Sequence, residues 1–287
     1  MIENLLLIEN GKGGVGKTSL VANLAGLAAA AGWRVLAIDL DPQGNLARDL
    51  GYLDRSDGGS HLAGALINGT SLAPIPSVRP NLAVIPGGPA LAQLTPFLIK
   101  HESSQQRLSQ VLAPLSPAYD LIVADLPPGE PAIRALAAQA ARWIVIPTKT
   151  DPASIDGLNA ILGDFITARK TNERLRILGI VLMLVNSSAT VVLAEARQDL
   201  NNTLRGSVPI FSTAIRSAEA VAVACRQRGM LVGEYAAQAT STPPSGRFAS
   251  LRSGKKPERF LPSSVGLASD YVKLALEVLT AIKKGTL

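Results

Sequence analysis

Glu9-Asn10-Gly11-Lys12-Gly13-Gly14-Val15-Gly16-Lys17-Thr18-Ser19 fits the phosphate-loop pattern G-x-x-x-x-G-K-[ST] from Gly11 to Thr18 and carries a second lysine, Lys12, inside the loop. The apolar run Leu5–Ile8 before it and the run Leu20–Ala25 after it predict the strand and helix that the pattern requires on either side. Glycines let backbone N–H groups turn inward around phosphate oxygens, and a helix N-terminus adds positive potential there. Gly11, Lys12, Gly13, Gly14, Val15, Gly16, Lys17, Thr18 and Ser19 are therefore expected to cradle a nucleoside triphosphate. Lys17 would reach the β- and γ-phosphates, and the Thr18 hydroxyl would ligate Mg²⁺.

Beyond the loop, short apolar runs alternate with helical patterns. Expected strands are Leu5–Ile8, Val35–Ile38, Leu82–Ile85, Leu121–Ala124, Trp143–Pro147, Ile177–Val185 and Val208–Phe211. Expected helices lie near 17–31, 90–99, 103–113, 130–140, 153–170, 188–204 and 217–228. This alternation predicts an α/β fold, a mostly parallel central sheet with helices on both faces, which binds ligands at the carboxyl ends of its strands. A last helical pattern, Ala268–Lys284, places Tyr271, Leu274, Ala275, Val278 and Ile282 on one face and is expected to pack back on the sheet.

Two acidic sites fall at strand ends. Asp125 closes Leu121–Ala124 and precedes Leu126-Pro127-Pro128-Gly129, the place from which a carboxylate holds Mg²⁺ directly or through water. Asp39 and Asp41 lie in Ile38-Asp39-Leu40-Asp41-Pro42-Gln43-Gly44-Asn45, two residues apart and so on one side of an extended chain. One would support the metal or Lys17 and the other orient the attacking water; Asp41 is the choice for water activation and Asp39 for the metal.

The chain has 287 residues, 47% apolar but only 4% aromatic, which suits Ala-rich helices on a sheet. No apolar run approaches the roughly 18–20 residues of a membrane span, and no charged-then-apolar leader precedes the first strand, so a cytoplasmic location is expected. The single cysteine, Cys225, excludes an intrachain disulfide and a cysteine-rich metal site. The formal charge of +6 is uneven. Within 238–265, a Pro/Ser/Gly-rich stretch, Arg247, Arg252, Lys255, Lys256 and Arg259 face one acid, Glu258, which predicts a basic loop between an ATPase domain at 1–237 and a closing helix at 266–287. Such a loop could attract polyanions by counterion release or could be a solvated linker.

Lys12–Thr18, Asp39–Asn45 and Asp125-Leu126-Pro127-Pro128 together resemble the deviant Walker A ATPases of the ParA/MinD superfamily. The Asp41-Pro42-Gln43-Gly44-Asn45 run resembles the ParA branch more than the MinD branch. Ile215-Arg216, Gly229, Val232-Gly233-Glu234-Tyr235 and Ala268–Leu279 are similar to the C-terminal part of plasmid and chromosome ParA proteins. The resemblance implies ATP and Mg²⁺ as ligands and a nucleotide-sandwich homodimer in which Lys12 contacts the partner subunit's phosphates. It implies hydrolysis through Asp41, Mg²⁺ handled at Asp125, and adenine recognised at Asn186, a strand-end residue that could equally be a helix cap. It further implies sequence-independent DNA binding through Arg216 and Lys273, with Arg226 and Arg228 nearby, and a ParB-like partner that stimulates hydrolysis on the nucleoid. Ser19 stands where a second threonine is common and keeps the hydroxyl. No helix-turn-helix precedes the loop, and the end at Lys283-Lys284-Gly285-Thr286-Leu287 lacks the membrane-targeting tail of MinD. A MinD-like positioning ATPase acting on a membrane or a protein assembly is the alternative. Iron–sulfur reductases that share the loop need cysteines this chain does not have.

Overall fold

The computed structural model describes residues 1–186, 190–241 and 261–285. Its centre is one seven-stranded sheet in the order β3-β4-β2-β5-β1-β6-β7. The strands are β1 (Leu5–Ile8), β2 (Val35–Asp39), β3 (Ile75–Arg79), β4 (Leu82–Ile85), β5 (Leu121–Asp125), β6 (Trp143–Thr148) and β7 (Arg176–Leu182). All neighbours pair in parallel except the edge pair β3 and β4. Strands buried on both faces read as continuous apolar runs, and that is what Leu5–Ile8 and Leu121–Ala124 are.

Period-two alternation divides these runs between two cores. Leu5, Leu7, Leu36, Ile38, Ile122 and Ala124 face one, and Leu6, Ile8, Val35, Ala37, Leu121 and Val123 face the other. The first core is covered by α3 (Ser60–Asn68), α4 (Leu94–Lys100), α5 (Arg107–Leu112), α6 (Pro131–Ala140), α7 (Pro152–Arg169) and α8 (Thr190–Leu204). The second is covered by α1 (Lys17–Ala30), α2 (Leu46–Asp49), α9 (Glu219–Arg228), α10 (Val232–Ser241) and α11 (Ser263–Gly285). On α11 the expected stripe, Tyr271, Leu274, Ala275, Val278 and Ile282, is buried against α1 and α10.

Several boundaries differ from the sequence expectation. Val208–Phe211 forms no strand: it touches β7 through an isolated parallel bridge, Ile180 to Ile210. Phe211 donates to the Ile180 carbonyl at 2.9 Å, but Pro209 has no N–H to give a ladder, and beyond the bridge the Ser212 and Thr213 amides donate to the Glu277 carboxylate on α11 at 2.7 and 2.9 Å. Strand β7 ends at Leu182 rather than Val185, before Leu184 turns to φ 58°. The edge strand β3 carries Pro76 and a half-exposed pattern, which hid it from periodicity. Helix α10 continues to Ser241 and α11 begins at Ser263, so the ends of the expected 238–265 loop are helical. Its basic residues, Arg247 to Arg259, lie outside the described residues. Among the described residues no helix is long and apolar enough to cross a membrane.

Candidate functional site

Strands β1, β2 and β5 are adjacent and parallel, so their carboxyl ends deliver Ile8, Asp39 and Asp125 to one rim. The loop after β1 is pinned by Asn10, whose Nδ2 donates to the Pro147 carbonyl at 2.7 Å while its Oδ1 accepts from the Lys12 amide at 2.8 Å. Gly14 and Gly16 have φ of 69° and 86°, values that only glycine adopts cheaply, and Gly16 caps the N-terminus of α1. Lys17 is buried, and its Nζ donates to the Asn10 and Lys12 carbonyls at 2.8 Å each. Burial lowers its pKa and the nearby Asp125 and Asp41 raise it, with burial the stronger effect.

Asp39 and Asp125 stand side by side in register. Asp39 accepts from the Asp41 amide at 2.9 Å and the Leu46 amide at 3.2 Å, so both its oxygens hold the loop that carries Asp41. The turn Gly87-Gly88 presses on the same loop: a Cβ at Gly87 would lie 2.5 Å from the Asp39 carbonyl oxygen, and the Gly88 amide donates to the Asp41 carbonyl at 3.1 Å. Sequence reasoning passed over this second glycine pair, whose signal was the punctuation Pro86-Gly87-Gly88-Pro89. Asp41 is buried and its Oδ1 accepts from the Gln43 amide at 2.8 Å.

Asp125 is different. Its two oxygens are buried and neither has a hydrogen-bond partner among the described residues. Burial pushes its pKa well up; Thr18 pulls it down, although the two do not meet as a well-formed hydrogen bond. An orphaned buried carboxylate beside a phosphate-loop threonine is a donor set that fits a hard divalent cation. The structure thus separates two acids that the sequence treated alike as metal candidates: Asp39 is spent on backbone, and Asp125 is not.

Gly13, Gly14, Gly16, Lys17, Thr18, Ser19, Asp41, Gln43, Asn45 and Pro128 line a cavity of about 340 Å³. A second cavity of about 360 Å³ adjoins it through Gly16, Ser19, Leu184 and Arg226. Met183, Ile215, Ala218, Ala222 and Leu267 give that second cavity apolar walls. The first has the chemistry for phosphates and the second the size and polarity for a nucleoside. Leu184, rather than Asn186, lines it; Asn186 is exposed just beyond Val185.

The proposed polyanion contacts are unequal. Arg216 is held by Asp270 through Nε at 2.6 Å and Nη2 at 2.8 Å. Lys273, one turn from Asp270 on α11, is exposed. Arg226 is paired with Asp49 at the mouth between the two cavities, and Arg228 lies over the Tyr235 ring at 5.3 Å. Beneath the phosphate loop lies a feature that no motif signals. Glu9 is buried 3.8 Å from Arg134, whose Nη2 instead donates to Asp164 at 2.5 Å.

A family model described as an AAA domain matches residues 3–177. The chromosome partitioning protein ParA of Myxococcus xanthus is 31% identical over 193 residues, covering 66% of this chain and 68% of that protein. The chromosome-partitioning ATPase Soj of Thermus thermophilus is 32% identical over 178 residues, covering 62% and 68%. Among solved structures, apo McdA of Cyanothece superposes with a TM-score of 0.73 at 21% identity, covering 95% of this chain and 99% of that one, a likeness of fold alone.

Proposed function

This chain belongs to the ParA/MinD superfamily of P-loop ATPases, on its partition branch, and from that membership we propose that it is an ATP-driven DNA partition switch. ATP binding closes two copies into a nucleotide-sandwich dimer, the dimer binds DNA without sequence preference, and a ParB-like partner stimulates hydrolysis and release. The observation that carries this reading is the convergence at one rim of Lys17, Thr18, Asp41 and the partnerless Asp125 beside a nucleoside-sized cavity.

In this reading the backbone amides of Gly13–Ser19 hold the phosphates, and Lys17 exchanges its two loop carbonyls for phosphate oxygens. Thr18 and Asp125 are the residues that would hold Mg²⁺, which when bound neutralises charge on the phosphates. Asp39 fixes the loop, and Asp41 orients and deprotonates the attacking water at the phosphate cavity. Asn186, exposed just beyond the cavity lining, is the base contact that the family resemblance implies. Lys12 supplies the trans cation, and Arg216 and Lys273 give phosphate contacts on the α11 face. The working location is the nucleoid.

Retention of the protein on double-stranded DNA, with ATP, with ADP and without nucleotide, tests the proposal. Binding that needs ATP and weakens steeply with salt is expected. Equal binding in all three conditions, or capture by anionic liposomes with DNA ignored, would overturn it, the latter in favour of a MinD-like positioning role.

A further inference from the structure

Arg226 on α9 and Asp49 on α2 are 177 residues apart in sequence and meet at the junction of the two cavities. The guanidinium grips the carboxylate at two points, Nε to Oδ1 at 2.6 Å and Nη2 to Oδ2 at 3.2 Å. The Ser19 hydroxyl donates to the same Oδ2 at 3.1 Å. Ser19 follows Thr18 in the first turn of α1 and lines both cavities. The passage from nucleoside to phosphate therefore runs past a hydroxyl, a carboxylate and a guanidinium that are bonded to one another.

The two charges are not placed alike. The Asp49 side chain is 9% exposed, whereas that of Arg226 is 43% exposed. A phosphate entering beside Ser19 would bring a second negative charge next to a nearly buried carboxylate, an unfavourable pairing unless a cation lies between them. Arg226 is the cation at that point, and a guanidinium has donors enough to serve a carboxylate and a phosphate together. Lys17, by contrast, is committed deeper in the loop, at the Asn10 and Lys12 carbonyls.

We propose that Arg226 is a nucleotide contact supplied in cis, which Asp49 holds at the cavity junction and which binds the phosphate nearest the nucleoside. The inference rests on the ATPase reading and deepens it. Its consequence is that α9, a helix of the C-terminal part of the chain, senses the phosphate end of the nucleotide directly. Arg226 is then turned to the nucleotide groove and is not a DNA contact.

Binding of ATP, ADP and adenosine to wild type, Arg226→Ala, Asp49→Asn and the double variant Asp49→Asn/Arg226→Ala provides the test, with thermal melting run in parallel. Arg226→Ala should weaken ATP and ADP alike, by about tenfold or more, and leave adenosine unchanged. Asp49→Asn, which frees the guanidinium and removes the competing carboxylate, should leave ATP and ADP binding equal or tighter. The double variant, which leaves no unpaired charge behind, should still lose the phosphate-dependent affinity. If Arg226→Ala and Asp49→Asn weaken all three ligands together, the pair is a structural ion pair and the inference fails. If wild type binds ATP and the double variant binds it equally well, this inference alone fails. A wild type that binds no adenine nucleotide would overturn the ATPase reading along with it.

Discussion

Asp39 and Asp125 stand opposite each other in register on β2 and β5, both buried, yet Asp39 accepts two backbone N–H groups and Asp125 accepts none. Two like charges so placed cannot both be comfortable, and burial together with their mutual repulsion raises the pKa of Asp39. Their unequal bonding assigns them different work. One builds the loop, and the other waits for a charge.

Asp125→Asn tests the second part. Removing the carboxylate should abolish the gain in ATP affinity that Mg²⁺ confers, so that the variant with Mg²⁺ binds no better than wild type in EDTA. A Mg²⁺ titration of fluorescent ATP-analogue binding reads this out, and an unchanged Mg²⁺ response would place the metal elsewhere.

Asp39→Asn tests the first. The amide keeps one acceptor but turns an NH₂ toward the amide of Asp41 or of Leu46, leaving a buried donor against a donor. A loss of about 1–3 kcal/mol in stability is expected. Denaturant unfolding without nucleotide or Mg²⁺ checks it, because a residue whose main role was metal binding would show no loss under those conditions.

Glu9 gives a pH signature. Burial pushes its carboxyl up to about 7 from an ordinary 4.5; Arg134 opposes this but spends its Nη2 on Asp164. Between those values the folded chain holds a proton that the unfolded chain has released. The contribution is therefore full below 4.5 and is lost as pH rises through about 7. Glu9→Gln should flatten the fall in stability between about pH 5 and about pH 8 by up to about 3 kcal/mol. Melting curves of variant and wild type at the two pH values decide it, and parallel curves would contradict the assignment.

Asp41→Ala should slow ATP hydrolysis by about 100-fold or more while leaving Mg²⁺-ATP binding within a few fold, the pattern of a general base rather than a binding group. Single-turnover hydrolysis and equilibrium binding on the same preparation separate the two. A matching loss in both would make Asp41 part of the ligand cradle instead.

Much of the fold was legible because strands buried on both faces are plain apolar runs and the phosphate loop fixes which of them is central. That Lys17, Thr18, Asp41 and Asp125 would meet at one rim was legible, because the loop pattern and the ends of apolar runs carry them. Asp49 and Arg226 were not: neither sits in a motif, and only the packing of α9 against α2 brings them together. Glu9 and Arg134 escaped for the same reason. Leu184 escaped because its left-handed backbone, rather than its residue type, puts it at the cavity mouth. The expected strand Val208–Phe211 stops at one bridge because Pro209 lacks an N–H and because Glu277, far along the chain, takes the Ser212 and Thr213 amides that would have extended the ladder.

In the proposed switch, Lys12 is the residue on which ATP-dependent dimerisation rests. Its side chain lies along α7, with Cε 3.3 Å and Nζ 3.8 Å from where a Cβ on Gly157 would stand. Asp151, at the start of that helix, is held below the usual carboxylate range first by the Ser154 hydroxyl and in smaller part by Lys12. In this arrangement the ammonium serves its own subunit, and the proposed contact with a partner's phosphates would require it to leave α7. Lys12→Ala should therefore bind Mg²⁺-ATP within a few fold of wild type yet remain monomeric at ATP concentrations that dimerise wild type. Light scattering across an ATP titration reads the mass directly. A variant that dimerises normally would show that the loop's second lysine acts only within its own subunit.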